Sequence, residues 1–312
     1  MPIPVIVIVG PTAVGKSAFA VHVARMFDTE IISADSMQIY CGMSIGVAAP
    51  SPEELAMVRH HCVGIIDPHE PFSAADFARM ALKVVHDLNV RGKIPVVVGG
   101  SGLYVRALVD GLFPGPPADK LLRLRLEETA AEKGNEHLYE RLRAVDPTYA
   151  EKIHPNDLRR IVRALEVYEL TGTPISELHR MYRDAKPDLA VTFIGLERDR
   201  QDLYRRIDER VERMFERGLL EEVADLLERE YGDDIDRIRP LGYPEAKAYL
   251  LGETDLDDAK DRMQRNSRRY AKRQHTWFRA DPRIRWFRFR PDEETGDYAG
   301  QICRVVGLQG KG

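Results

Sequence analysis

The sequence of 312 residues predicts an α/β protein: a P-loop three-layer fold with a parallel sheet and an all-helical insertion domain. The first observation is a β-branched apolar run at residues 3–9 that leads directly into Gly-x-x-x-x-Gly-Lys-Ser at 10–17. The second is an alternation of short apolar strands with amphipathic helices, which is typical of parallel sheets covered on both faces. The third is a stretch from residue 119 to about Arg183 that carries helical periodicity alone.

Residues 1–117 are predicted to form the first part of a P-loop catalytic core. Its strands end in turns rich in glycine or polar residues, and open α/β sheets bind ligands at this carboxyl edge. The predicted elements are a strand at 3–9, a helix at 16–27, a strand at 30–33, an amphipathic stretch from residue 52, a helix at 73–91 and a strand at 94–98. The last strand leads into Gly99-Gly100-Ser101-Gly102.

Residues 118–187 are predicted to be the all-helical insertion. Pro114-Gly115-Pro116-Pro117 precedes it, and Lys186-Pro187 marks its end. Its predicted helices cover 121–131, 137–144, 157–170 and 175–181. Residues 188–312 then complete the core, with strands at 190–196 and 284–289, helices at 200–216, 219–230, 244–250 and 256–278, and a terminal helix from residue 292.

The composition is that of an ordinary globular protein, with 44% hydrophobic and 31% charged residues. No apolar run approaches the ~20 residues of a membrane span, and the N-terminus lacks the features of a secretion signal. We therefore expect a cytoplasmic protein without membrane association. Cys41, Cys62 and Cys303 form no Cys-x-x-Cys pair, which disfavours a disulfide framework and a zinc site. Nothing in the sequence requires a protein partner or more than a monomer.

The motif at residues 10–17 predicts a site for linked phosphates. Gly10 and Gly15 allow successive backbone N–H groups to form a cup for an anion, and the helix that begins at Lys16 adds the positive end of its dipole. Lys16 supplies a full positive charge, and the Ser17 hydroxyl is placed to hold Mg²⁺. The motif alone leaves open whether the phosphates belong to ATP.

Two polar residues follow later strands of the predicted sheet. Asp35 is a candidate general base or Mg²⁺ ligand, although capping of the next turn is equally compatible with its position. Ser101 could contact a substrate or cap the helix that begins at Leu103. The strand at 94–98 does not end in Asp or Glu, which weakens the case for ATP hydrolysis because the acidic partner of ATPases is missing there.

Basic residues are concentrated in helical stretches. Residues 262–279 contain seven Lys or Arg and no acidic residue, with aromatic side chains interleaved. Cations neutralise phosphates and aromatic rings stack on unpaired bases, so this pattern favours an RNA-binding surface over a solvated helix face. A second cluster, in the insertion, comprises Arg159, Arg160 and Arg163. The helix at 200–216 alternates arginines with acidic residues, and one of these arginines would suffice as a cation over the phosphates.

Six segments together resemble the bacterial tRNA dimethylallyltransferases, also called tRNA isopentenyltransferases or the IPP transferase family. They are Gly-Pro-Thr-Ala-Val-Gly-Lys-Ser at 10–17, Ser-Ala-Asp-Ser-Met-Gln-Ile-Tyr at 33–40, Gly-Gly-Ser-Gly-Leu-Tyr-Val-Arg-Ala-Leu at 99–108, Arg-Arg-Ile-Val-Arg-Ala-Leu-Glu at 159–166, Gly-Tyr at 242–243 and Ala-Lys-Arg-Gln-His-Thr-Trp-Phe at 271–278. The first segment is shared with many nucleotide enzymes, but the six in this order are specific. The similarity covers essentially the whole chain.

The resemblance implies transfer of a dimethylallyl group from dimethylallyl diphosphate to N6 of the adenosine 3′ to the anticodon in tRNA, with release of diphosphate. Asp35 would be the general base and Ser101 a hydroxyl beside it, where the family more often has Thr. Lys16 and Arg210, with Mg²⁺ on Ser17, would stabilise the departing diphosphate. The donor site would be formed by Gly10, Pro11, Thr12, Ala13, Val14, Gly15, Lys16 and Ser17.

The resemblance also implies a set of tRNA contacts, with the helical insertion clamping the anticodon arm and the adenosine flipped out of its stack. These positions are Asp35, Ser36, Met37, Gln38, Ser101, Arg123, Arg159, Arg160, Ile161, Val162, Arg163, Arg273, Gln274, His275, Thr276, Trp277 and Phe278.

Three alternatives would use the same phosphate loop. A small-molecule kinase would bind ATP there, and a second kind of prenyltransferase would act on free adenine nucleotides. Both leave the two basic clusters without a role. The third alternative, a binding module without catalysis, is disfavoured because Asp35 and Ser101 converge on the phosphate site.

Overall fold

The computed structural model describes residues 1–113, 115–182 and 186–308. Pro114 and Arg183, which help to delimit the insertion in the sequence, lie outside the described residues, as do residues 309–312. The chain divides into two compact units. We call Met1–Val109 with Asp188–Gly312 the core unit, and Asp110–Pro187 the helical unit. The helical unit therefore starts earlier in the chain than residue 118.

The core unit is built on a six-stranded parallel sheet with the order β3-β2-β4-β1-β5-β6. The strands are β1 (Ile3–Val9), β2 (Ile31–Ser33), β3 (His60–His61), β4 (Val96–Gly99), β5 (Leu189–Arg198) and β6 (Arg285–Phe289). Central strand β1 pairs with β4 on one side and β5 on the other, so that Val7 lies between Val97 and Phe193. Five of these strands were predicted. The sixth, β3, has only two residues and therefore no readable periodicity.

Alternate residues of β1 enter two separate hydrophobic cores. Val5, Val7 and Val9 pack on one face of the sheet, whereas Ile6 and Ile8 pack on the other. Both faces are covered, which is why the strand is a continuous apolar run and does not alternate with polar residues. The three-layer α/β fold is confirmed.

Helices cover both faces of the sheet in the core unit. They are α1 (Lys16–Met26), α2 (Pro52–Met57), α3 (Ala74–Val90) and α4 (Gly102–Asp110) before the helical unit, and α10 (Arg200–Glu216), α11 (Leu219–Glu228), α12 (Gly232–Ile238), α13 (Tyr243–Leu250), α14 (Leu256–Arg279) and α15 (Ala299–Val305) after it. The predicted helix from residue 292 is a 3-10 turn, Thr295–Tyr298, followed by α15. None of the helices in the described part of the chain combines the length and apolarity needed to cross a bilayer.

The helical unit has a hydrophobic core of its own. Its helices are α5 (Lys120–Lys133), α6 (Asn135–Val145), α7 (Pro147–Ala150), α8 (Leu158–Thr171) and α9 (Ile175–Met181). Side chains that include Leu126, Leu142 and Leu165 are buried among them. A separate core is what allows this segment to fold as a distinct unit.

Candidate active site

The phosphate loop, residues 10–17, joins β1 to α1. Gly10 and Gly15 have φ angles of 152° and 104°, which a residue with a side chain rarely adopts. A Cβ atom on Gly15 would also lie 2.6 Å from the Thr295 hydroxyl oxygen. Glycine is therefore required at position 15 for its backbone conformation and for space.

Side chains from distant elements fix three consecutive carbonyl groups of the phosphate loop. The Ala13 carbonyl accepts from Arg206 Nε at 3.3 Å, the Val14 carbonyl from Arg198 Nε at 3.2 Å, and the Gly15 carbonyl from Thr295 Oγ1 at 2.6 Å. The Arg198 guanidinium is buried and also bonds the backbone carbonyl groups of Arg290 and Glu293. These contacts hold the loop in one conformation before a ligand arrives, which is the preorganisation that anion sites need.

A cavity of about 770 Å³ opens in front of the phosphate loop. Thr12, Ala13, Gly15, Lys16 and Ser17 line it. The other predicted donor-site residues lie behind this surface: Gly10, Pro11 and Val14 are buried, and the Val14 side chain belongs to the hydrophobic core. The structure thus brings five of the eight predicted loop residues to the cavity wall.

Lys16 is the electrostatic centre of the cavity. Burial and the neighbouring Arg210 guanidinium lower its pKa to about 7, although the Asp35 carboxylate acts in the opposite direction. Its Nζ atom donates to the Pro11 carbonyl at 2.7 Å. Arg210 and Asp35 also line the cavity, so three predicted catalytic side chains meet there.

Asp35 lies in the loop that follows β2. Its Oδ1 atom accepts the Met37 backbone N–H at 2.9 Å, as in an Asx turn. Ser101, in the turn between β4 and α4, is buried, and its Oγ atom accepts the Ser36 N–H at 2.9 Å and lies 3.1 Å from the Ser36 hydroxyl. The Ser101 side chain therefore fastens one turn of the sheet edge to the loop that carries Asp35.

Gln38 and Glu222 fix the segment 44–48, of which Gly46, Val47 and Ala48 line the cavity. Gln38 Nε2 donates to the Ala48 carbonyl at 2.8 Å, and its Oε1 accepts the Ser33 hydroxyl at 2.8 Å. The Glu222 carboxylate accepts from five groups: the N–H groups of Ser44, Ile45 and Gly46, and the hydroxyl groups of Ser44 and Tyr243. Glu222 was not predicted, because nothing in its helical surroundings indicates that it anchors a loop.

The basic helix α14 contributes five residues to the cavity lining: Met263, Ser267, Tyr270, Arg273 and Gln274. Gln274 is buried and bridges the two glycine-rich turns: its Oε1 accepts the Thr12 N–H at 2.8 Å, and its Nε2 donates to the Gly100 carbonyl at 3.0 Å. Tyr270, one turn earlier, also lines the cavity. Gln274 was predicted to contact tRNA. Tyr270 was noted only as one of the aromatic residues of the basic stretch and was given no individual role.

The remaining basic side chains of α14 differ in whether they form an ion pair with a carboxylate. Arg269, Lys272 and Arg273 are exposed, whereas Arg262, Arg268 and Arg279 pair with Asp258, Asp208 and Glu197. Among the predicted tRNA contacts, Trp277 is 42% exposed and packs on Gly102, but Phe278 lies in the core. His275 lies 3.5 Å from Glu197, and Thr276 donates to the Lys272 carbonyl. Exposed cations beside an exposed indole suit contact with RNA.

In the helical unit, a buried glutamate engages two of the predicted arginines. Glu166 is fully buried; it accepts two hydrogen bonds from Arg123, each of 2.8 Å, and one of 2.5 Å from Arg163. These bonds lower the pKa of Glu166 against the effect of burial. Arg159 and Arg160 are exposed on the same helix, α8.

Ile161 and Val162 differ from their arginine neighbours. Their side chains are buried in the core of the helical unit. RNA contact through these two side chains would require that core to open. An RNA surface on α8 is thus confined to exposed positions such as Arg159.

Comparison with known proteins places this geometry in one family. The model of the family described as IPP transferase matches residues 38–281. The tRNA dimethylallyltransferase of Geobacter sulfurreducens is 49% identical over 284 residues, which cover 91% of this chain and 91% of that protein. The tRNA dimethylallyltransferase of Geobacillus thermodenitrificans is 45% identical over 97% of this chain and 96% of its own length.

Two solved structures have the same architecture. The tRNA isopentenylpyrophosphate transferase of Bacillus halodurans is 39% identical, with a TM-score of 0.70 and coverage of 97% of both chains. A eukaryotic dimethylallyltransferase, crystallised acting on tRNA, is 28% identical with a TM-score of 0.80, and the match covers 99% of this chain and 81% of that one. The present chain therefore belongs to the IPP transferase family.

Proposed function

We propose that this protein transfers the dimethylallyl group of dimethylallyl diphosphate to N6 of the adenosine 3′ to the anticodon in tRNA, releasing diphosphate. The observation that carries the proposal is that Lys16, Arg210 and Asp35 line one cavity together with Arg273 of the basic helix. Cations for a diphosphate, a carboxylate for an amine and a helix suited to RNA thus meet at one place. The relatives are named as dimethylallyltransferases that act on tRNA, which supports the proposal.

The donor would bind with its diphosphate against Thr12, Lys16 and Ser17. As the carbon–oxygen bond breaks, negative charge grows on the leaving diphosphate, and Lys16 and Arg210 are placed to stabilise it. The prenyl chain would lie against apolar side chains of the same cavity. These include Val47, Val211, Met214, Leu241 and Met263.

Mg²⁺ fits the residues at the phosphate end of the cavity. The Ser17 hydroxyl is exposed there, and an oxygen ligand combined with phosphate oxygens is the coordination that Mg²⁺ prefers. Ser17 would hold the ion, whose chemistry when bound is to neutralise charge on the diphosphate.

Asp35 would accept the proton of the adenine amine as the carbon–nitrogen bond forms. The amine lone pair is delocalised into the purine ring, so a positioned base makes the nucleophile effective. The Met37 N–H orients the carboxylate, and the Ser101 hydroxyl holds the neighbouring Ser36. We therefore propose that Ser101 acts by positioning the Asp35 loop.

The tRNA would be bound through exposed cations. Arg269, Lys272 and Arg273 of α14 are suited to phosphates, and the Trp277 indole to an unstacked base. Arg159 would contribute from the helical unit. The adenosine would be extruded from its stack into the cavity, where Asp35 lies on the wall.

The decisive experiment offers the protein Mg²⁺ and dimethylallyl diphosphate with unmodified tRNA, AMP, or a small-molecule panel with ATP, and identifies the products by mass. We expect a prenylated adenosine in tRNA alone. Prenylation of AMP without tRNA modification would favour the free-nucleotide enzyme, and phosphoryl transfer from ATP would favour the kinase. Either result would overturn the proposal.

Asp35→Ala tests the assignment of the base. Transfer should be lost while tRNA affinity stays near that of the unaltered protein, because the exposed cations are untouched. Asp87→Ala, on the exposed side of α3, is the matched control and should leave both quantities unchanged. Near-normal turnover by Asp35→Ala would remove this residue from the role.

A further inference from the structure

Tyr270 lines the cavity but has no role in the proposed reaction as described above. It lies on α14 one turn before Gln274 and lines the same cavity as Asp35. The Arg273 guanidinium carbon lies 5.6 Å from the centre of its ring. The ring therefore lies against Arg273 at the wall of the cavity that Asp35 also lines.

The Tyr270 hydroxyl remains protonated at physiological pH. Burial, reinforced by the nearby negative charge of Asp35, raises its pKa to about 12, against weaker opposing effects of Ser101, Gln274 and Arg273. A protonated phenol is a hydrogen-bond donor. The cavity therefore presents a neutral donor next to the carboxylate that we assign as the base.

The neighbouring polar side chains are already committed to holding the protein together. The Ser101 oxygen bonds the backbone N–H and the hydroxyl of Ser36. The Gln274 amide bonds the Thr12 N–H and the Gly100 carbonyl. The Tyr270 hydroxyl lies within hydrogen-bonding reach of both side chains, so a purine base that receives its proton in a hydrogen bond would replace one of these contacts.

Adenine presents a pattern that matches this pair of groups. Its 6-amino group donates, and the ring nitrogens that lie beside it, N1 and N7, accept. A 6-oxopurine would instead place a carbonyl oxygen against the Asp35 carboxylate, which is repulsive. A carboxylate with an adjacent neutral donor therefore distinguishes the two kinds of purine.

We propose that Tyr270 is a specificity-determining residue whose hydroxyl donates to a ring nitrogen beside the acceptor amine, so that the amine faces Asp35. This inference rests on the proposed function, because it assumes an adenine acceptor. It adds a contact for the base itself, whereas the cations of α14 would contact the backbone of the RNA.

The test compares Tyr270→Phe with the unaltered protein on acceptors in which one ring nitrogen is replaced by carbon. The rate of transfer to an anticodon stem-loop is measured. The stem-loop carries adenosine, 1-deazaadenosine or 7-deazaadenosine at the target position. Loss of one hydrogen bond should lower kcat/KM about tenfold when Tyr270→Phe acts on adenosine. For one of the two deaza acceptors, Tyr270→Phe should then be no slower than the unaltered protein, because the acceptor atom is already missing.

Additive losses for both deaza acceptors would overturn the inference, as would a Tyr270→Phe variant that equals the unaltered protein on adenosine. A rise in KM for dimethylallyl diphosphate without coupling to either nitrogen would also overturn it, and would identify Tyr270 as a brace for Gln274. Tyr204→Phe, whose ring lies outside the cavity and contacts Arg200, is the matched control and should show no change. Failure of the unaltered protein to modify the adenosine stem-loop would instead refute the proposed function.

Discussion

Two glycine-rich turns lie at the same edge of the sheet, and their glycines serve different purposes. In the phosphate loop, Gly10 and Gly15 adopt positive φ angles of 152° and 104°. Gly99 at the end of β4 and Gly100 in the turn that follows have no such angles, but added Cβ atoms would lie 2.1 Å from the Ala34 carbonyl oxygen and 2.0 Å from Gln274 Nε2. The first turn is shaped for a ligand, and the second is a close-packed joint between protein segments.

Two glycine-rich turns therefore contribute to the same cavity in different ways. The phosphate loop presents Lys16 to the cavity, whereas the second turn carries Ser101 and contacts Gln274 of α14. Gln274 links the two turns through Thr12 and Gly100. Changes in the first turn should affect charge stabilisation, and changes in the second should affect geometry.

The largest expected effect is that of Lys16→Ala. Loss of the cation that faces the leaving group should lower kcat/KM for the donor by about 10²–10³-fold, the usual cost of removing one transition-state contact. Steady-state kinetics with saturating tRNA would measure it. Lys93→Ala, which removes a surface pair with Asp28, is the control and should be neutral. A loss below tenfold for Lys16→Ala would mean that the phosphate loop is not the main charge stabiliser.

Gly15→Ala should cause the next largest effect, on stability. The positive φ angle costs about 1–2 kcal/mol for a residue with a side chain, and the contact with Thr295 adds an overpacking cost of about 1–3 kcal/mol. Gly92→Ala separates the two costs, since its φ is 68° and nothing lies within 4 Å of the added atom. Urea denaturation of both variants would measure the difference. Equal losses would show that Thr295 yields without cost.

Gly100→Ala should be milder, because its backbone is unstrained and the obstacle is the end of a flexible side chain. Gln274 would move and release the Thr12 N–H, so the KM for dimethylallyl diphosphate should rise about 3–10-fold, the loss of one hydrogen bond. Gln274→Ala should reproduce this change. An unaffected donor KM in both variants would show that the two turns are not coupled.

The smallest expected effect is a proton taken up on diphosphate binding. The pKa of Lys16 is about 7 in the ligand-free site, so at pH 8 most molecules lack this proton, and a bound anion should restore it. Calorimetry in buffers of different ionisation enthalpy should give nearly one proton more for the unaltered protein than for Lys16→Ala. Equal uptake would place the titration elsewhere.

The lowered pKa of Lys16 also determines how the free energy of unfolding changes with pH. The unfolded chain keeps the Lys16 proton up to its ordinary pKa of 10.5, whereas the folded, ligand-free protein releases it near pH 7. The unfolded state therefore holds more protons between these values, and the contribution of Lys16 to the free energy of unfolding rises with pH across that window.

The fold was predictable because its signals are local. Uninterrupted apolar runs marked the strands that are buried on both faces, and α9 and α10 have the predicted bounds because their periodic faces end sharply. The short helices α7 and α12 were missed, and α7 has only four residues, which are too few to show a period.

Residues of the candidate site were predictable where a sequence motif or a position at the end of a strand indicates the role of the side chain. Lys16 and Ser17 follow from the motif, and Asp35 from its place after β2. Ser101 and Arg123 show how partners distant in sequence decide the rest: Ser36 engages the hydroxyl, and Glu166 engages the guanidinium group. A sequence shows that a side chain is charged but not which distant group faces it.

The supports of the phosphate loop have a consequence for the order in which the protein becomes active. The loop leaves the ribosome before its supports, because Gln274 and Thr295, which hold Thr12 and Gly15, follow 262 and 280 residues later. Arg198 arrives 184 residues after Val14. A nascent chain can therefore pair β1 with β4 before the phosphate loop has its supports, which are complete only after residue 295 has been made.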